Sequence, residues 1–98
     1  MIEHIVLFKL NESAPSEAKE RMLQELLALR HKIPGIVDAC AGANFSTRAK
    51  GYTHAFVVRF KDRGALDAYL PHPEHQRVVE GYVNPIKEDV LAADFEIG

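Results

Sequence analysis

The chain has 98 residues, 47% of them hydrophobic and 27% charged, with a formal net charge of -2. That length supports one domain spanning 1–98, since domains cluster at roughly 100–150 residues, and the mixture is that of a folded globular chain. No block of Lys or Arg forms a stripe and no apolar run approaches the roughly 20 residues that span a bilayer, so neither nucleic acid nor membrane is expected as a partner.

Ile2–Leu10 reads as a β-strand, with Ile2, His4, Val6, Phe8 and Leu10 on one face and Ile5 and Leu7 on the other. A strand apolar on both faces belongs at the centre of a sheet. The same residues lack the basic start and the cleavage site of a secretory signal, and a cytoplasmic location is expected. Pro15-Ser16-Glu17 opens a helix, with proline in the first turn and acid near the positive end. Ala18, Met22, Leu26, Leu29 and Ile33 recur at helical spacing, and Pro34-Gly35 stops the pattern.

Ile36–Phe45 is small and apolar, a second strand, and Cys40 within it reads as a small buried residue. Being the only cysteine, it can form no intrachain disulfide and belongs to no zinc-binding cysteine cluster. Ser46–Gly51 connects to a third strand, Tyr52–Phe60, in which Tyr52, His54, Phe56, Val58 and Phe60 share a face. Asp62-Arg63-Gly64 leads into a short helix that carries Leu66, Tyr69 and Leu70 and ends at Pro71 and Pro73. A further helix is expected over Glu74–Asn84, with His75, Val79, Tyr82 and Val83 on its apolar side. Val90–Ile97 closes the chain as a strand.

The order β-α-β-β-α-(α)-β predicts an α+β, ferredoxin-like fold: a four-stranded antiparallel sheet with helices on one face. Ile5, Leu7, Ala55 and Val57 then lie on the other face with no cover from the chain itself. A greasy exposed sheet is a liability, and a homodimer packed sheet to sheet removes it.

Candidate chemistry concentrates in Tyr69-Leu70-Pro71-His72-Pro73-Glu74-His75. Phenol and imidazole are the side chains suited to moving protons near neutral pH without a cofactor. His4 and His54 enter the apolar layer from the strands, while Tyr69 and His75 enter it from the helices. A mostly apolar hollow with a few convergent polar groups is the usual form of a small-molecule site. Each residue also has an ordinary role: Tyr69 as a core aromatic, His75 at a helix start, His4 and His54 as hydrogen-bonded core histidines. As antiparallel neighbours, His4 and His54 are expected toward opposite ends of their strands. His72 reads as a turn residue and His31 as a surface one. Asp94 reads as a solvated strand-edge carboxylate, with orientation of a buried histidine as its alternative.

The chain resembles the stress-responsive dimeric α+β barrel family. The features that carry the resemblance are His4-Ile5-Val6-Leu7-Phe8-Lys9, Ile33-Pro34-Gly35-Ile36, Gly51-Tyr52-Thr53-His54, Tyr69 through His75 and Asp94-Phe95. It implies a dimer whose two sheets face each other as a barrel. Polyketide-cyclase members of that family fold a linear substrate by aldol condensation with no metal or organic cofactor. Their catalytic histidine and tyrosine correspond to His75 and Tyr69, and their cavity histidines to His4 and His54. The first helix departs from the cyclase pattern, with Met22, Leu23 and Leu26 in place of bulky aromatics, so pocket shape does not transfer. The expectation is a pocket lined by His4, His54, Val6, Phe8, Phe56, Met22, Leu26 and Val79 that takes a small apolar or aromatic ligand, with acid/base catalysis by His75 and Tyr69. No cofactor and no side-chain metal site is expected, while the resemblance implies that backbone carbonyls after the first helix could hold a hard divalent ion. A cofactor-independent monooxygenase and a non-enzymatic protective protein stand as rivals.

Overall fold

The computed structural model describes residues 1–97. Four strands, β1 (Ile2–Leu10), β2 (Ile36–Ala43), β3 (His54–Phe60) and β4 (Lys87–Glu96), form one antiparallel sheet in the order β2-β3-β1-β4. Helices α1 (Ser16–Ala28), α2 (Arg63–Tyr69) and α3 (Pro73–Val78) connect them. The architecture is the expected ferredoxin-like one, with β1 at the centre of the sheet.

Alternation decides which side chains face the helices. Ile2, His4, Val6, Phe8 and Leu10 of β1 are buried, and Phe56, Val58 and Phe60 of β3 lie beside them. From the helical side Met22, Leu26, Leu29, Leu66, Tyr69 and Val78 complete the core. The opposite face holds Ile5, Leu7, Val57, Leu91 and Phe95 with nothing over it among the described residues; Leu91 and Phe95 are 52% and 50% exposed.

Local chemistry sets the ends of the elements. Asp62 caps α2 by accepting from the Ala65 N–H at 2.8 Å. His72 caps α3 in the same manner, its Nδ1 accepting from the Glu74 N–H at 3.1 Å, so the turn role expected for it has a specific form. Gly35 lies at φ +92°, and a Cβ there would sit 2.6 Å from the Ala65 Cβ. The turn into β2 therefore needs glycine for both conformation and space.

Several boundaries differ from expectation. The first helix gives way to a 3-10 turn at Leu29–His31. β2 ends at Ala43 and β3 begins at His54, because Asn44 and Thr53 pair through a single backbone bond where the strands separate. The helix expected over Glu74–Asn84 is α3 followed by a π-helical turn, Val79–Val83. β4 starts at Lys87, before Val90, since an edge strand tolerates the polar run Lys87-Glu88-Asp89. Cys40 is exposed, not buried as expected: the pleat points Ala39 and Ala41 toward the helices and Cys40 to the uncovered face. Among the described residues no helix is long and apolar enough to cross a membrane.

Candidate functional site

A cavity of about 220 Å³ opens between the sheet and the helices. Its floor is His4, Val6 and Phe8 of β1, Phe56 of β3, and Val90 and Ala92 of β4. Leu26 of α1, Tyr69 and Leu70 from the end of α2, His75 of α3, and Val79 and Val83 of the π-helical turn form its walls, with Asn84 and Lys87 completing the rim. An engineered cavity of about 150 Å³ admits benzene, so this volume suits a single ring with a small substituent.

Tyr69 sits at the polar end, 1% exposed. Its ring packs on Phe60 at 4.9 Å and on the His75 imidazole at 4.4 Å between centroids, and meets the His4 ring edge-on at 6.1 Å. Burial pushes the phenol pKa up, so Tyr69 is a neutral O–H donor over the whole physiological range.

His75 is fixed by the turn before it. Pro71 and Pro73 bracket His72, and α3 starts so close to the end of α2 that His75 Nδ1 lies 2.9 Å from the Leu70 carbonyl oxygen. A carbonyl only accepts, so Nδ1 carries the proton and Nε2 keeps its lone pair. Burial lowers the His75 pKa; the Leu70 bond opposes the shift, and the charges of His4 and His72 add to it. The outcome is a neutral imidazole with one basic nitrogen. Arg77 anchors the helix that carries it, pairing with Glu74 at 2.8 Å and reaching Glu25 of α1 at 3.4 Å.

His4 is 5% exposed, and its Nδ1 is hydrogen-bonded to the Asp94 carboxylate across the β1–β4 pair. The contact is the one that the alternative raised for Asp94, orientation of a buried histidine, requires. Strand register brings this about: His4 and Asp94 are directly opposite on the helix-facing side.

The structure thus brings together His4, Val6, Phe8, Leu26, Phe56, Tyr69, His75 and Val79 around one cavity. It does not bring His54 or Met22 to it. His54 pairs with Phe8 at the far end of β3, whereas His4 pairs with Val58. There His54 Nδ1 lies 2.7 Å from the Thr53 hydroxyl, and burial with the nearby Lys19 charge lowers its pKa. Met22 is fully buried in the core, one helical turn from Leu26. Leu70, Val83, Asn84, Lys87, Val90 and Ala92 line the cavity without having been anticipated. The alternation Val90, Ala92, Asp94 was the available signal for the last strand, once β4 is placed beside β1. Among the described residues no group of three or more His, Cys, Asp or Glu could hold a metal.

The fold and sequence have parallels among known proteins. A solved Arabidopsis thaliana structure superimposes with a TM-score of 0.91 at 22% identity, covering 100% of this chain and 96% of the other. A dimeric ferredoxin-like protein of unknown function from Thermobifida fusca matches with a TM-score of 0.83 at 27% identity, covering 98% and 90%. In sequence, a stress-response A/B barrel domain-containing protein of Arabidopsis thaliana is 34% identical over 97% of this chain and 36% of its own length. The chain spans less than half the length of the curated plant relatives it matches. The family model for the stress responsive A/B barrel domain matches residues 2–97, and the chain belongs to that family.

Proposed function

We propose that the cavity binds a small apolar or aromatic molecule carrying an oxygen function, and that His75 and Tyr69 perform cofactor-free acid/base chemistry on it. The observation that carries this reading is the His75–Leu70 bond. It leaves Nε2 as a free base on a ring packed 4.4 Å from a buried phenol in the same hollow. In the reaction, Nε2 takes a proton from the carbon next to a carbonyl, forming an imidazolium. The negative charge moves to the carbonyl oxygen, where the Tyr69 O–H donates a hydrogen bond to it. A neutral base and a donor that resists ionisation are what this step needs, and burial favours both states.

Deuterium incorporation into an enolisable aryl ketone such as phenylacetone, followed in heavy water, tests the reading. The protein should speed exchange, and His75→Ala should remove about 10²–10⁴-fold of the rate. A wild-type protein that neither speeds exchange nor is stabilised against heating by aryl ketones or phenols would contradict it, because any specific binder raises the melting temperature by mass action.

We infer further that the working unit is a homodimer. Ile5, Leu7, Val57, Leu91 and Phe95 make one continuous apolar surface on the open face of the sheet. A second copy presenting the same face covers it, and supplies burial that a domain of this length lacks by itself.

A further inference from the structure

The cavity has a second imidazole, for which proton abstraction by His75 has no use. His4 reaches the polar end from the sheet side, edge-on to Tyr69, while His75 approaches from α3. Behind His4 stands Asp94, whose side chain is 41% exposed. It borders a separate outer cleft of about 220 Å³, lined by Ile2, Arg63, Leu66, Asp67, Phe95 and Glu96. Arg63 and Glu96 pair with each other at 3.9 Å in that cleft. Asp94 is therefore a partly solvated carboxylate with a buried histidine behind it. The ionisable groups around His4 are Asp94 from β4, Tyr69 from α2 and His75 from α3; on β1 itself, Glu3 points to the opposite face, toward Arg59.

We propose that Asp94 is a positioning residue of the cavity: by accepting the His4 Nδ1 proton it fixes His4 as the Nδ1–H tautomer, so that His4 offers its Nε2 lone pair to a ligand hydroxyl. An ionised carboxylate has no proton to give, so in the neutral form of the ring the contact fixes which nitrogen carries it. Carboxylates hold imidazoles in one tautomer and one orientation in the same manner at hydrolytic triads and behind metal-ligating histidines. With His75 fixed by Leu70, the cavity then holds two basic nitrogens and one phenolic donor, a set that recognises a hydroxylated ring or an enol. The ligand half of this inference rests on the small-molecule reading of the cavity; the tautomer half does not.

The test compares wild type, Asp94→Ala and Arg63→Ala by nitrogen-resolved NMR of the histidine rings at neutral pH, with phenol as the binding probe. Wild type and Arg63→Ala should show His4 as the Nδ1–H tautomer, with a downfield Nδ1 proton. Asp94→Ala should lose that proton signal and shift His4 toward a mixture of tautomers while remaining folded. Phenol should bind about tenfold more weakly to Asp94→Ala than to wild type, equivalent to about 1.4 kcal/mol, and unchanged to Arg63→Ala. If His4 keeps one tautomer without Asp94, the proposal is overturned, whatever phenol does. If the tautomer changes and phenol binds none of the three proteins, Asp94 positions His4 and the small-molecule reading is the part that fails.

Discussion

Tyr69 shows at the residue scale how one side chain serves the core and the cavity together. Its ring is buried against Phe60 and His75, while no side-chain hydrogen bond engages its hydroxyl among the described residues. Removing the whole ring opens a large void; removing the oxygen does not. Tyr69→Ala should thus cost about 3–5 kcal/mol of stability, and Tyr69→Phe less than about 1.5 kcal/mol as a volume-conserving change. Chemical denaturation measures both. If Tyr69→Phe is as damaging as Tyr69→Ala, the hydroxyl has a structural partner and is not held for a ligand.

His75 carries a pH signature. Its pKa is depressed in the folded state, so between that value and the reference of 6.5 the unfolded chain binds a proton that the folded one refuses. Stability is complete above about pH 6.5 and falls as the pH drops through that value toward the depressed one. His54 is shifted in the same direction. His75→Gln should therefore flatten part of the acid-side slope of the melting temperature, not all of it. An unchanged slope would mean that His75 titrates in the folded protein as it does in water.

Elements differ in how openly their residues announce them. β1 was legible throughout, because strict alternation with apolar residues on both faces has one structural solution. The span of α1 was legible too, though not the tightening at Leu29–His31, where the apolar spacing continues while the hydrogen bonding changes. The π-helical turn Val79–Val83 was not legible, since one extra residue per turn leaves His75, Val79 and Val83 on a common side in either form. The His4–Asp94 pair was legible only as an alternative role for Asp94, because which histidine it meets is decided by a register between strands at opposite ends of the chain. His54 lies toward the other end of the strand pair from His4, as antiparallel neighbours should, and the face they share does not by itself bring it to the cavity.

The turn at Gly35 offers a test at this scale. Gly35→Ala adds a Cβ that clashes with Ala65 and imposes an unfavourable positive φ. It should destabilise by more than about 1 kcal/mol. Ala65→Gly in the same chain should recover only part of the loss, because it removes the clash and not the backbone strain. Full recovery would show that space alone demands glycine there.

For the whole molecule, the uncovered sheet face and the cavity lie on opposite sides of one sheet. Leu7 and Leu91 face away from the helices, whereas their neighbours Phe8 and Val90 face the core and the cavity. Assembly and ligand binding can thus be separated by substitution. Leu91→Glu should convert a dimer to a monomer in sedimentation velocity by placing an unpaired charge in the apolar interface. A Leu91→Glu protein that sediments as wild type does would remove that face from the assembly.

The central claim is that an imidazole and a phenol converge in a hollow that accepts a ligand. It is tested most directly by titrating the protein with phenol while following the His75 ring resonances by NMR, in wild type and in Tyr69→Phe. Saturable shifts at His75 are expected in the wild type, and in Tyr69→Phe shifts that need about five- to tenfold more phenol, the loss of one hydrogen bond worth about 1 kcal/mol. His75 resonances that stay fixed as phenol is added, in a protein that remains folded, would contradict it.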